Sequence, residues 1–230
     1  MPSFSRTILI ALLPFVTAGP VIRQFDWSSL IGGGSSTGGG SSASTGFGGS
    51  TQNGLDGDCK AVTVIFARGT SEGGNVGTVT GPPFFEALAS QLGDGKLAVQ
   101  GVEYAASTAG IMQGGDTAGS AKMASLVESA MKKCPDTKVV ISGYSQGAML
   151  VHNAAKSLSS DVTGKIAAAV TFGDPYQKQA VTGVSAARTK VFCHSGDGVC
   201  AGTFAITSEH LNYSQDADAA AAFVVSAIGN

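Results

Sequence analysis

The chain has 230 residues, 13% of them charged, with 14 Lys and Arg against 16 Asp and Glu and a formal net charge of −2. A weakly acidic chain without a basic cluster lacks the electrostatic footprint that a phosphate backbone demands, so nucleic-acid binding is excluded. The length admits one or two domains.

Residues 1–18 carry one positive charge, Arg6, then the apolar run Ile8 to Phe15, then the small residues of Val16-Thr17-Ala18 where a signal peptidase would cut. The apolar core is well short of the roughly 20 residues that a membrane span requires. A secretion signal and an extracellular mature protein are therefore expected. Residues 19–58 are dominated by Gly, Ser and Thr, with near repeats at Gly32 to Ser36 and Gly38 to Ser42. They read as a propeptide or flexible linker that buries nothing, and the apolar patch around Phe25 and Trp27 is expected to lack fixed structure.

Cys59 opens the compact part, residues 59–230, which suffices for one domain. The chain has 4 cysteines, all inside that domain. In an exported chain they imply two disulfides. Cys59 and Cys134 each precede a strand-like run, and neighbouring parallel strands would bring both to one sheet edge. That leaves Cys193 with Cys200, closing a short loop around Asp197.

Short apolar runs rich in β-branched residues recur at Ala61 to Ala67, Leu97 to Tyr104, Lys138 to Tyr144, Ala167 to Gly173 and Thr189 to Cys193. Near-continuous apolarity is what strands buried on both faces require. Helical patterns lie between and after them at Pro82 to Leu92, Asp116 to Lys133, Gln146 to Leu158 and Gln215 to Ile228. The alternation predicts an α/β fold, a doubly wound three-layer sandwich around a mostly parallel sheet of about five strands.

Two segments read G-x-S-x-G: Gly69 to Gly73 and Gly143 to Gly147. Only the second passes from a strand into a helical stretch, the context of a nucleophile elbow. Small residues there permit a sharp turn that lifts the Ser145 hydroxyl clear of the sheet. The first runs on into a Gly-rich loop, so Ser71 is not the expected nucleophile.

A serine hydroxyl needs a base, and the base needs a carboxylate to orient it. Of the 3 histidines, His152 lies two turns into the helix after Ser145 and is expected to be a packed or partly exposed helix residue. His194 ends the last strand, and His210 precedes the final helix. The chain order Ser, acid, His selects His210 with Asp197. Asp174, in Phe172-Gly173-Asp174-Pro175, is a rival acid that reads as a turn residue. Oxyanion donors are expected from the Gln146 backbone and from Thr70, in the loop after the first strand, where Arg68 and Glu72 are candidates to pair and brace it.

Three segments, Ala67-Arg68-Gly69-Thr70-Ser71-Glu72, Cys134-Pro135-Asp136 with Gly143 to Gly147, and Cys193-His194-Ser195-Gly196-Asp197-Gly198-Val199-Cys200 followed by His210-Leu211, together resemble the fungal cutinase family. The resemblance implies a lidless α/β hydrolase and a secreted serine esterase, without metal or cofactor. It implies Ser145, Asp197 and His210 as triad, Thr70 and Gln146 as oxyanion hole, and the disulfides Cys59 to Cys134 and Cys193 to Cys200. Many members have Ser where this chain has Thr70, and Asn212-Tyr213-Ser214 is a glycosylation sequon beside the base.

Phe204, Ile206 and Leu211 flank His210 and would form an apolar rim for an acyl chain, pointing to cutin and short aliphatic esters. The expected partner is an insoluble polyester or a small ester met by a monomer. Acetylxylan esterase is the rival enzyme, and a catalytically idle cell-wall-binding protein the rival of another class.

Overall fold

The structure, a computed structural model, describes residues 46–229. The expected secretion signal and the Gly/Ser repeats lie outside the described residues. Five strands form one sheet: β1 (Val62–Ala67), β2 (Leu97–Gly101), β3 (Lys138–Tyr144), β4 (Ala168–Phe172) and β5 (Thr189–Phe192). Their order is β2-β1-β3-β4-β5, with every neighbouring pair parallel. A parallel sheet needs helical crossovers, and these cover both faces. The helices are α1 (Gly81–Leu92), α2 (Thr108–Met112), α3 (Thr117–Lys133), α4 (Gln146–Ser157), α5 (Ser160–Thr163) and α6 (Ala217–Gly229).

Period-two alternation divides the buried side chains between two cores. Val62, Val64 and Phe66 of β1 join Phe84, Phe85 and Leu88 of α1 and Ala220, Ala221 and Val224 of α6. On the opposite face, Ile65 and Ala67 meet Met123 and Val127 of α3 and Leu150, Val151 and Ala154 of α4. Pro82 and Pro83 sit in the first turn of α1, where their missing N–H groups cost nothing. Asp116 caps α3 by accepting from the Gly119 N–H at 2.6 Å, which satisfies one of the orphan donors at a helix start.

The chain runs outward from β1 to β2 and then crosses back to β3, so the strand order reverses between β1 and β3. In open parallel sheets such a switch point opens a crevice at the carboxyl ends of the strands. Register brings those ends level: Ala67 pairs with Gly143, Tyr144 with Phe172, and Phe172 with Phe192. The residues after each strand therefore gather along one edge.

Both disulfides form, Cys59–Cys134 with Cα atoms 5.5 Å apart and Cys193–Cys200 with Cα atoms 6.0 Å apart. The first joins the entries to β1 and β3 at the edge opposite the crevice. On a chain-entropy account, closing so long a loop contributes roughly 4 kcal/mol.

Three expectations need correction. Residues 46–58 do not belong to a segment that buries nothing. Phe47 packs edge-on against Phe85 with ring centroids 6.5 Å apart, the Gly101 N–H donates to the Gln52 carbonyl at 2.9 Å, and the buried Asn75 amide holds Gln52 and Asn53. A low-complexity composition hid one aromatic anchor. β2 stops at Gly101 rather than Tyr104, because its pairing with β1 ends at Phe66, whose carbonyl takes the Val102 N–H at 2.8 Å. The last helix begins at Ala217 rather than Gln215, because Tyr213–Asp216 form a 3-10 turn.

Candidate active site

Between β3 and α4, Ser145 adopts φ 57° and ψ −119°, a conformation that costs an L-residue on the order of 1–3 kcal/mol. Neighbouring contacts hold it there. Its N–H donates to the Phe172 carbonyl at 2.9 Å, and its own carbonyl accepts from Ala148 at 3.0 Å. The flanking glycines are required by space: a Cβ on Gly147 would collide with the Ala67 carbonyl, and one on Gly143 with the Gly147 carbonyl. The turn therefore lets strand and helix approach while presenting Oγ at the sheet edge.

His210 Nε2 lies 3.0 Å from Ser145 Oγ, and His210 Nδ1 lies 2.9 Å from Asp197 Oδ2. Ser145, His210 and Asp197 are only 4%, 2% and 2% exposed. Asp197 sits in the Cys193–Cys200 loop and also accepts from the Val199 N–H at 2.8 Å and from the Tyr213 hydroxyl at 2.5 Å. Burial opposes its charge, but the Tyr213 hydroxyl, His210 and the Val199 N–H outweigh that, so its carboxyl is held below the ordinary range. Burial dominates at His210 and pushes its imidazole down despite Asp197, leaving it neutral and able to take a proton.

His210 is held on its other side as well. Tyr144 stacks on His210 with centroids 5.2 Å apart and donates from its hydroxyl to the His210 carbonyl at 2.8 Å. Gly173, at φ 56°, leaves room for the ring, since a Cβ there would come 2.7 Å from His210 Cε1.

Across the crevice, the Gln146 side-chain amide donates to Thr70 Oγ1 at 2.8 Å and to the Ser107 carbonyl at 2.8 Å. Both amide protons are thereby used, and the Thr70 hydroxyl proton is free to point elsewhere. The Gln146 N–H belongs to the first turn of α4, where no intrahelical carbonyl can take it. Arg68 and Glu72 brace this loop, but not as a side-chain ion pair. Arg68 donates to the Glu72 and Tyr104 carbonyls at 2.8 and 2.7 Å. The Glu72 carboxylate accepts from Gly69, Thr78 and Val79 N–H groups at 2.7 to 3.0 Å. Burial raises the Glu72 carboxyl, with those N–H groups and Arg68 opposing it.

Phe204 and Ile206, at 45% and 50% exposed, lie on the open loop between Cys200 and the turn bearing His210. Leu211 is partly buried in that turn. Met112, 79% exposed at the end of α2, is a further apolar side chain that the sequence reading passed over. Ser71 stands apart as an exposed residue whose N–H donates to Ala106. His152 is the packed helix residue of the two expected alternatives, wholly buried with Nε2 2.9 Å from Asp174 Oδ2. Asp174 also accepts from Thr171 and Tyr176, so it is the anchor of a buried turn and not only a turn starter.

Sequence reasoning also missed Tyr144, Tyr213 and the contact of His194 with Asp216. Tyr144 lies inside the elbow motif and Tyr213 three residues past His210, yet nothing in a tyrosine's sequence position reveals where its hydroxyl points.

A strained serine at the switch point of a doubly wound parallel sheet, with a neutral histidine at its hydroxyl, defines a serine hydrolase of the α/β-hydrolase class. The particular branch follows from comparison: the family model for Cutinase matches residues 58–228, and the chain belongs to the cutinase family. A cutinase of Botryotinia fuckeliana is 56% identical over 171 residues, covering 74% of this chain and 85% of the relative. The structure of Trichoderma reesei cutinase in complex with a phosphonate inhibitor is 45% identical with a TM-score of 0.75, covering 82% of this chain and 84% of that one. An acetyl xylan esterase structure is more distant, 26% identical with a TM-score of 0.60 over 75% of this chain and 100% of that one. Among the described residues, no helix is long and apolar enough to cross a membrane.

Proposed function

We propose that the protein is a secreted, monomeric serine esterase that hydrolyses the ester bonds of cutin-like polyesters and short-chain aliphatic esters through an acyl-enzyme. The observation that carries this is the unbroken hydrogen-bond chain from Asp197 through His210 to Ser145. His210 takes the Ser145 proton as Oγ attacks the ester carbonyl carbon, while Asp197 fixes the tautomer and stabilises the resulting imidazolium. The oxyanion is met by the Gln146 and Thr70 N–H groups and by the Thr70 hydroxyl. Collapse expels the alcohol, which receives its proton from His210. Water, activated by the same base, then releases the acid and restores Ser145.

Apolar side chains at Phe204, Ile206, Leu211 and Met112 favour an aliphatic acyl chain over a sugar acetate. The exposure of Phe204, Ile206 and Met112 suits a site that meets an insoluble polymer directly. Release of hydroxy fatty acids from cutin, against release of acetate from acetylated xylan, tests the substrate. Cutin monomers are expected, and failure to cleave any aliphatic ester overturns the reading. A phosphonate ester should label the parent at Ser145 and leave Ser145→Ala unlabelled; a parent that does not react would indicate an idle fold.

A further inference from the structure

His194 touches neither Ser145 nor the crevice, but it stands where the segments bearing the rest of the triad converge. Its Nδ1 lies 3.0 Å from the Glu209 carbonyl and its Nε2 lies 2.6 Å from the Asp216 carboxylate. A carbonyl and a carboxylate only accept, so both ring nitrogens donate and the ring carries a proton on each. The ring also stacks on Tyr213, with centroids 4.3 Å apart and planes 23° from parallel. Its backbone N–H donates to the Tyr213 hydroxyl at 3.1 Å. With a lone pair occupied in that way, the hydroxyl proton is directed at Asp197 Oδ2, 2.5 Å away.

We propose that His194 is a positioning residue, an imidazolium that ties the acid-bearing loop to the turn carrying His210 and so holds Tyr213 against Asp197. Glu209 immediately precedes His210, and Asp216 closes the 3-10 turn that contains Tyr213. One cation thus clamps the acid-bearing loop to two consecutive 3-10 turns, Glu209–Leu211 and Tyr213–Asp216. The anionic groups nearest it are the Asp216 carboxylate and, beyond the Tyr213 hydroxyl, Asp197, while the Glu209 carboxylate is taken up by Ser208. Burial opposes the charge of His194, but the Glu209 carbonyl and Asp216 outweigh it and raise the imidazole above its ordinary value of 6.5. Loss of the proton at alkaline pH leaves one nitrogen lone pair facing an acceptor. That repulsion loosens either the His210 turn or the Asp216 contact, and kcat falls while the triad itself remains correctly protonated.

The proposal rests on the triad reading above, and the experiment separates the two. Nitrogen-15 NMR of the full-length parent with labelled histidines, assigned by comparison with His194→Gln, should show both His194 ring nitrogens protonated at pH 7. In ester hydrolysis across pH 6 to 10, parent kcat should decline on the alkaline side. Asp216→Asn should lack that decline, because its amide can donate to a neutral imidazole and keep the clamp closed without charge. His194→Gln, which cannot span both acceptors, should lose about tenfold or more in kcat, as displacement of a base does, with KM little changed. An unprotonated His194 nitrogen at pH 7, or superimposable alkaline profiles for parent and Asp216→Asn, overturns the clamp. If the parent fails to react with a phosphonate at Ser145, the triad reading itself fails.

Discussion

Thr70 matters through the direction of one proton. Because the Gln146 amide donates to one of its lone pairs at 2.8 Å, the hydroxyl proton points away from Gln146 and is available to the oxyanion of the proposed mechanism. Thr70→Val keeps the shape and removes the donor, so kcat should fall by about 10² to 10³, the usual cost of one oxyanion donor. Thr70→Ser should stay close to the parent, since the methyl makes no hydrogen bond. Steady-state kinetics on a soluble ester decides between them, and equal activity of the Val variant would remove the Thr70 hydroxyl, though not its backbone N–H, from the proposed oxyanion hole. Legibility at this scale was uneven. Ser145, His210 and Asp197 could be chosen by motif and chain order. Arg68 and Glu72 were expected to pair, yet each instead binds backbone groups, because a closed loop exposes its own carbonyls and N–H groups to whichever charge lies nearest.

Among the elements, the stretch from Gly46 to Asp58 departs furthest from its composition. Phe47 on the α1 side of the core, Leu55 against the opposite core, and the Gln52 and Asn53 contacts with Asn75 lash it across the β2 edge of the sheet. Lys133, at the end of α3, adds bonds to the Leu55 and Gly57 carbonyls. A chain starting at Cys59 should therefore melt several degrees below one starting at Gly46, a loss of about 1–3 kcal/mol from apolar burial. Calorimetry of the two chains measures this, and equal midpoints would mean the stretch contributes no net stability. Strands and helices were legible because their periodicity is local. This stretch was not, since one phenylalanine among glycines and serines gains meaning only from the ring it meets.

For the molecule as a whole, the three charged or neutral clusters around the site set opposite pH limits on stability. His210 has its imidazole pushed below the ordinary 6.5 by burial, so the folded state resists protonation there and stability declines as pH falls below that value. Asp197 is held below the ordinary 3.8; its contribution is present above that value and is lost as pH falls through the folded value. His194 is raised above 6.5, so its contribution is complete below 6.5 and is lost as pH rises through the folded value. Thermal midpoints recorded from pH 3 to 10 should consequently fall on both sides of a maximum, and His194→Gln should flatten the alkaline side alone. The sequence by itself determined the alternating α/β pattern, both disulfides and the tight turn at Ser145, because hydrophobic period, cysteine position and the glycines of such a turn are properties of neighbouring residues. Only the tertiary structure decided which side chains surround Ser145, Asp197 and His210. Tyr144, Tyr213, His194 and Asp216 acquire their partners when β3, the Cys193–Cys200 loop and the final turns converge, and contact between distant segments leaves no periodic trace in the chain.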